Sequence, residues 1–248
     1  MKISKENLEP NSLKALPNRK NIFDLFYSSL SLFPHWVREQ QNMQQDNLQK
    51  FSEEVKSKID EIPDDLLQPP KMNIFGPAIE NSKYYYDNKY YREMFAKLIA
   101  ASANKDFNDR IHPAFVDVIT QLTPLEAQFL NHFFKERHGG IPYLTLYLKS
   151  EDIPKQSILV KYVFNIPADL QIALMNNLFL SIENLIRLNI IRIRNNTQYK
   201  DIDTYYTPIR VSEFYLAAIR GNPNKISDAM GAIEFTSFGR FFLETCMN

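Results

Sequence analysis

The strongest constraint on the fold is an apolar pattern at helical spacing inside the stretch from Gly76 to Phe134. An α-helix that carries such a stripe must bury that face. Arg92, Glu93, Lys97 and Asn104 fall off the stripe and are expected to stay in water. The residues of the stripe are spaced at i, i+3, i+4, i+7, i+8 and i+11, and they are Tyr91, Met94, Phe95, Leu98, Ile99 and Ser102.

Two helix starts are predicted from capping residues near this stripe. Asp87 precedes the striped helix and is a candidate N-cap. The second start is clearer, because Thr123 can cap, Pro124 suits the first helical position, and Glu126 can complete a capping box. We therefore predict that a helix begins at Pro124.

Other residues of this stretch are assigned structural roles. Gly76 and Pro77 are predicted to start a helix, with the proline at or near its first position. His112 and Pro113 are predicted to start another. Arg92 and Glu93 are interpreted as a charge pair that links the central helix to its neighbours.

Composition narrows the classes of function. Lys+Arg and Asp+Glu are equal at 29 each, so the whole chain has no electrostatic attraction to a nucleic-acid backbone. A single cysteine, Cys246, excludes an intrachain disulfide and fits a reducing cytoplasm. The sequence contains no phosphate-binding glycine motif, no histidine spacing typical of a metal site and no nucleophile motif. We predict a cytoplasmic protein that is not an enzyme, with no cofactor and no metal.

The N-terminal segment allows two interpretations. Residues 1–20 are polar and are predicted to be a mobile arm, whereas residues 21–36 are rich in aromatic side chains. The favoured interpretation is that this segment docks on the protein's own core or on a second subunit. The alternative is peripheral contact with the inner membrane. The candidate membrane or partner contacts are Phe23, Phe26, Leu30, Phe33 and Trp36.

The domain organisation follows from prolines and periodicity. A long polar helix is predicted over residues 36–61. It lies in an amphipathic region, 21–62, that is followed by a proline-rich linker, 63–73. A central helical core is predicted over residues 74–122, and a C-terminal domain over residues 123–248.

The C-terminal half mixes helix and strand signals. A long helix is predicted over residues 168–187, and a closing helix over 237–246, capped by Thr236 or Ser237. Strands are predicted at 141–148, 189–195, 204–211 and 232–236. The predicted fold is therefore mainly α, with a helical N-terminal part and a winged-helix-like α+β C-terminal part that contains a small sheet.

A winged-helix-like domain raises the question of nucleic-acid binding. The helix that would read DNA carries one basic residue, Arg187, and the following strand region adds Arg192, Arg194 and Lys200. These four residues are the candidate nucleic-acid contacts. They are too few for strong salt-dependent binding, so a structural or protein-contact role is favoured.

Several motifs occur in a fixed order along the chain, namely Pro69-Pro70, Gly76-Pro77-Ala78, the run Arg92 to Ala96, His112-Pro113, Gln121 to Pro124, and a late segment from Phe235 to Phe242 that leads to Cys246. Together they resemble the motifs of the abortive infection alpha (Abi-alpha) family of bacterial proteins. The resemblance implies a role in defence against phage by abortive infection, and it brings no catalytic residues.

Three functions follow as hypotheses. The first is a phage-defence protein that binds a phage component or a host protein and changes shape or association state, including association with itself. The second is a DNA-binding regulator that uses the C-terminal half. The third is a membrane-active effector that inserts residues 21–36.

Overall fold

A computed structural model of the chain describes residues 18–32, 43–136, 140–149, 157–175, 177–194, 199–220 and 225–247. The chain divides into two compact units. The first comprises residues 1–120 together with 245–248, and the second comprises residues 121–244. Within the described residues there are twelve α-helices and a four-stranded antiparallel sheet in the C-terminal part, so the fold is mainly α with an α+β C-terminal region, as predicted.

The N-terminal part is helical. Short 3₁₀ turns at Asp64–Leu66 and Lys105–Phe107 join some of its helices. Its helices are α1 (Arg19–Ser31), α2 (Met43–Asp60), α3 (Met72–Ser82), α4 (Lys89–Ser102) and α5 (Ala114–Gln121).

Helix α4 lies at the centre of the first unit. All six residues of the predicted stripe are buried, and Phe95 is 0% exposed. The expectation that Arg92 stays in water is wrong, because the residue is only 8% exposed. Its guanidinium pairs with the Glu54 carboxylate on α2 at 2.8 Å and donates to the Tyr86 carbonyl at 3.2 Å. A buried arginine is stable only with such partners.

Helix α1 packs inside the first unit. Ile22, Phe26 and Leu30 are 2%, 1% and 8% exposed, and the Phe26 ring meets the Phe51 ring of α2 edge-on at 5.9 Å. Phe23 is half-buried. The favoured interpretation, docking on the protein's own core, therefore holds for Phe26 and Leu30. Membrane contact by these two residues would require α1 to leave the core.

The start of α1 lies within the predicted mobile arm. Residues 19 and 20 are helical, and the Asn18 side chain caps the helix by accepting from the Asn21 N–H at 2.8 Å. Arg19 fixes this end, since its guanidinium bonds to the Asp64 carboxylate and the Ile62 carbonyl. The rest of the predicted arm, residues 1–17, lies outside the described residues, as do Phe33 and Trp36.

The prediction for Gly76 and Pro77 is wrong, because α3 begins earlier, at Met72, and carries Pro77 in its interior. A proline there lacks the N–H of one helical hydrogen bond, at a cost of about 3 kcal/mol. The two residues before Gly76, Ile74 and Phe75, are buried. Burial of such side chains contributes about 1.5–3 kcal/mol each, which offsets that cost.

Two other helix starts differ by one residue from the prediction. Asn88, and not Asp87, caps α4 by accepting from the Tyr90 N–H at 3.0 Å. Helix α5 begins one residue after Pro113, and the His112 Nδ1 accepts from the Ala114 N–H at 3.1 Å. At both starts a side chain, of Asn88 or His112, accepts from the backbone N–H two residues later, and the helix begins after it.

The proline-rich stretch 63–73 lies inside the first unit. Gln68 and Lys71 donate their backbone N–H groups to the carbonyls of Ala103, at 2.9 Å, and Ser102, at 3.0 Å. These bonds hold the stretch against the end of α4.

The described part of the predicted helix 36–61 is confirmed by α2. Phe51, Val55 and Ile59 are 0% exposed and form its buried face. Residues 36–42 lie outside the described residues.

The second unit contains the sheet. The strand order is β2-β1-β4-β3, with every pair antiparallel. The elements after α5 are α6 (Pro124–Glu136), β1 (Ile141–Leu148), β2 (Ser157–Val163), α7 (Ala168–Met175), α8 (Leu178–Arg187), β3 (Ile191–Arg194), α9 (Ile202–Tyr205), α10 (Thr207–Arg210), α11 (Glu213–Ile219), β4 (Ile226–Phe235) and α12 (Ser237–Cys246).

The segment predicted as a strand at 204–211 is helical and packs on the sheet. Its Tyr206 and Ile209 are 0% exposed and join a cluster with Leu144, Leu146 and Val163. The Asp201 side chain starts α9 by accepting from the Thr204 N–H at 3.0 Å. Burial at the helical spacing of residues 206 and 209 thus outweighs the strand preference of its tyrosines and threonines.

Two further elements differ from the sequence prediction. The single helix expected over 168–187 is two helices, α7 and α8, and Asn177 lies between them. Asparagine favours caps and turns over helix interiors. Strand β2 was not predicted, because Pro154 and Pro167 flank its apolar run. The closing helix α12 matches its prediction, with the Thr236 hydroxyl accepting from the Gly239 N–H at 2.9 Å.

Candidate functional site: a groove beside the capping box

A groove of about 570 Å³ lies in the second unit, where the start of α6 meets α8. It brings together three residues that the sequence singled out for different reasons, namely Thr123, Glu126 and Arg187. We call this surface the capping-box groove and define it by Thr123, Leu125, Glu126, Leu180, Asn184 and Arg187.

The predicted capping box is confirmed. The Thr123 hydroxyl accepts from the Glu126 N–H at 3.2 Å, and a Glu126 carboxylate oxygen, Oε2, accepts from the Thr123 N–H at 2.7 Å. The two bonds satisfy backbone donors that a helix start otherwise leaves unpaired. The local sequence therefore fixes one wall of the groove.

A polar network links this wall to α8. The Asn184 side-chain amide donates to the Glu126 Oε2 and to the Gln121 carbonyl, both at 3.0 Å. The Arg187 guanidinium donates to the Gln121 side-chain oxygen at 2.8 Å and to the Asn184 Oδ1 at 2.7 Å. Since Glu126 is only 2% exposed, its two N–H donors offset part of the cost of removing a carboxylate from water.

The groove also exposes apolar surface. Leu180 is 67% exposed and Leu125 is half-buried. Complete burial of a leucine stabilises an association by at most about 3 kcal/mol. A protein-binding surface combines an apolar centre with a polar rim, and in the groove Leu180 lies beside the polar network of Asn184 and Arg187.

The other candidate nucleic-acid contacts lie away from the groove. Arg192 and Arg194 on β3 both pair with one carboxylate, Glu234 on β4, at 3.0 and 2.8 Å. Glu234 lies directly opposite Arg192 in the strand register. Lys200 is exposed beyond β3. Glu234 therefore compensates part of the positive charge of Arg192 and Arg194, which are two of the four candidate nucleic-acid contacts.

A second ionic group fixes α10 and α11 to the sheet. The Arg210 guanidinium makes two bonds to the Asp228 carboxylate, at 2.9 and 2.7 Å, and the Tyr215 hydroxyl donates to the same carboxylate at 2.8 Å. Arg210 lowers the pKa of Asp228, and burial together with Asp228 raises the pKa of Tyr215 to about 12. At neutral pH, Asp228 is therefore an anion, Arg210 is a cation and Tyr215 is a neutral phenol.

The motif residues of the first unit do not join the groove. Arg92 pairs with α2, as expected of a link between helices, whereas Glu93 pairs within its own helix with Lys89, at 3.6 Å. Gly76 and Pro77 lie in α3, and Phe95 lies in the core. His112 and Pro113 are exposed before α5.

Sequence reasoning missed Leu180 and Asn184. A usable signal was the spacing of Asn184 and Arg187, which places them on one helix face. A single sequence does not show that this face meets the capping box, because that contact joins residues far apart in the chain.

Within the described residues, no group of three or more His, Cys, Asp or Glu side chains is arranged to hold a metal ion. The helices of the described part also include none with the length and apolar character needed to cross a bilayer.

Comparison with known proteins gives the family. The sequence model named "Abortive infection alpha" matches residues 43–246. The chain therefore belongs to the abortive infection alpha family, and the family suggests a role in phage defence by abortive infection. No curated protein matches the chain significantly.

One solved structure is similar to part of the chain. It is described as an uncharacterized protein from the hydrocarbon-degrading marine bacterium Alcanivorax borkumensis SK2. The similarity covers 58% of this chain and 96% of that chain, with 15% identity and a TM-score of 0.31.

Proposed function

We propose that this protein defends bacteria against phage by binding a protein partner through the capping-box groove. Family membership supports the defence role, and the groove supports the mode of action. The partner is expected to be a phage component or a host protein that brings an apolar side chain against Leu180 and polar groups against the network of Asn184 and Arg187. Binding, and not catalysis, is the proposed action.

One observation carries the proposal, namely the contrast between apolar and cationic side chains on the second unit. Leu180 is 67% exposed in a groove, whereas Arg192 and Arg194 share Glu234. A surface that binds DNA through its phosphates needs free cations. A protein-binding surface needs an accessible apolar centre with a polar rim.

The state of the single thiol agrees with a non-catalytic action. Cys246 is fully buried, and burial raises its pKa well above the ordinary value for a thiol. A protonated, inaccessible thiol is a poor nucleophile. We place the proposed activity in the cytoplasm, where a lone reduced cysteine is usual.

A phage challenge tests the proposal. Cells that express the wild type, Leu180→Glu or Leu216→Glu are infected, and the efficiency of plating is compared. Leu216 is 46% exposed on α11, outside the groove, and is the matched control. We expect Leu180→Glu to lose protection and Leu216→Glu to keep it, because only the first places a charge where the partner's apolar group binds. Equal protection by both folded variants would exclude the groove.

A second candidate is a DNA-binding regulator. The connectivity of the second unit favours this candidate, because it resembles a winged helix. Strands β1, β4 and β3 are adjacent in the sheet, and helices α7 and α8 lie between β1 and β3 in sequence. In that arrangement α8 would read DNA, although Arg187 is its only basic residue. A mobility-shift titration over a salt series separates the candidates, since DNA affinity through phosphates falls steeply as salt rises.

A further inference from the structure

Strand β2 ends the sheet, and no other described strand pairs with its outer edge. The strand order places β2 outermost, next to β1 only. An edge strand presents unpaired backbone N–H and C=O groups that can pair with another strand. Proteins usually protect such an edge with charged side chains, prolines or bulges.

The first half of β2 lacks charged side chains and exposes apolar ones. Ile158 is 55% exposed and Leu159 is 45% exposed. Leu148 of β1, which ends opposite Ser157, is 36% exposed and extends the same apolar region. We call these residues, Leu148 and Ser157 to Val160, the β2 edge.

The features of β2 that hinder pairing with another strand lie mostly in its second half. Tyr162 has a left-handed backbone (φ +64°), and the register with β1 shifts on either side of Val160. Lys161 holds its ammonium over the Tyr162 ring, 4.7 Å from the centroid. Pairing with another strand is therefore restricted to a short stretch around Ser157 and Ile158.

We propose that the β2 edge is a contact between two copies of this chain, with the β2 strands antiparallel across a two-fold axis. An uncharged stretch can pair with itself, since no like charges come to face each other. The net formal charge of the chain is +0, so two copies have no overall repulsion. All pairs in the sheet are antiparallel, and a two-fold contact would continue that pattern.

The size of the contact predicts its strength. A stretch of a few residues buries less than the roughly 1,200 Å² of a stable interface, so the dimer is weak and concentration-dependent. Such a contact fits the hypothesis of a defence protein that changes its association state, but it does not depend on the capping-box groove.

Sedimentation velocity tests the proposal with the full chain from about 1 to about 200 µM, the range in which a weak interface becomes populated. We expect a dimer fraction that rises with concentration, and a dissociation constant at least about tenfold higher for Leu159→Lys, equivalent to about 1.4 kcal/mol. Leu216→Lys on α11 is the control and should behave as wild type. A monomer at every concentration, or equal dimerisation of Leu159→Lys and wild type, would overturn the proposal.

A cysteine variant gives a second, independent measurement. Because Cys246 is buried, Ile158→Cys carries the only accessible thiol of the described residues. Mild oxidation at high concentration should give a disulfide-linked dimer of Ile158→Cys and none of Leu216→Cys. Equal cross-linking of both variants, or of neither, would contradict pairing at the β2 edge.

Discussion

The two units of the chain use the same kind of ion pair for different purposes. In the first unit, Arg92 is paired with Glu54 and its side chain is 9% exposed. In the second unit, Arg192 is paired with Glu234 and its side chain is 65% exposed. The first pair is part of a core that holds helices together, whereas the second lies on the surface, where Glu234 compensates part of the charge of Arg192 and Arg194. The comparison shows that Arg92, in the family motif of α4, is part of the core of the first unit, whereas Arg192 lies on the surface of the second unit, which also carries the proposed binding groove.

The largest effect is expected from Phe95→Asp, which places a carboxylate in the core of the first unit. Replacing a buried phenylalanine costs about 3–5 kcal/mol before the cost of an unpaired charge is added. We expect loss of the cooperative unfolding transition seen by circular dichroism. Tyr84→Asp is the control, since Tyr84 is 59% exposed in the same unit. A Phe95→Asp protein as stable as this control would disprove the assigned core.

Removal of residues 1–36 is expected to destabilise the first unit, because it deletes α1. Ile22, Phe26 and Leu30 are buried, and each contributes about 1.5–3 kcal/mol. Urea denaturation should show a lower midpoint, whereas removal of residues 1–17 leaves α1 in place and is the control. If removal of 1–36 left the midpoint unchanged, α1 would be free to act at a membrane, and liposome flotation would then be decisive.

Substitution of Arg92 and of Arg192 tests the difference between the two units directly. Arg92→Ala leaves Glu54 partly buried without its cation, and breaking such a pair costs about 3 kcal/mol or more. Arg192→Ala removes an exposed pair and should cost less than about 1 kcal/mol. Chemical denaturation of both variants gives the two losses in unfolding free energy. Equal losses would remove the distinction between the units.

The smallest effect concerns pH. Because Arg210 lowers the pKa of Asp228 in the folded protein, this carboxylate stabilises the fold above its unfolded pKa of about 3.9, and the stabilisation is lost as pH falls through the lower folded value. Asp228→Asn should therefore cost about 2 kcal/mol at pH 7 and progressively less below pH 4. A loss that does not change with pH would show that the Asp228 charge is not responsible.

Elements whose signals are local in sequence could be predicted in both units. In the first unit the stripe from Tyr91 to Ser102 identified the buried face of α4, and in the second unit Thr123 with Glu126 identified the start of α6. Errors arose where local preference and burial disagree. Pro77 signals a helix start, but the buried Ile74 and Phe75 extend α3 in front of it.

The second unit was harder to predict because its elements depend on distant contacts. The segment 204–211 has strand-forming residues, yet it contains the end of α9 and all of α10, and Tyr206, at the turn between them, is buried and donates to the Gly231 carbonyl at 3.1 Å. The groove depends on Asn184 reaching Glu126 across 58 positions of sequence. Capping chemistry predicted one wall of the groove, and nothing local indicated which helix supplies the other.

The central claim is that defence depends on the capping-box groove and not on the arginines of β3. The most direct test is a single plating assay that compares Leu180→Glu with the double variant Arg192→Ala, Arg194→Ala. The proposal predicts that Leu180→Glu loses protection and the double variant keeps it. Loss of protection by the folded double variant, with Leu180→Glu still protective, would contradict it and favour binding to nucleic acid.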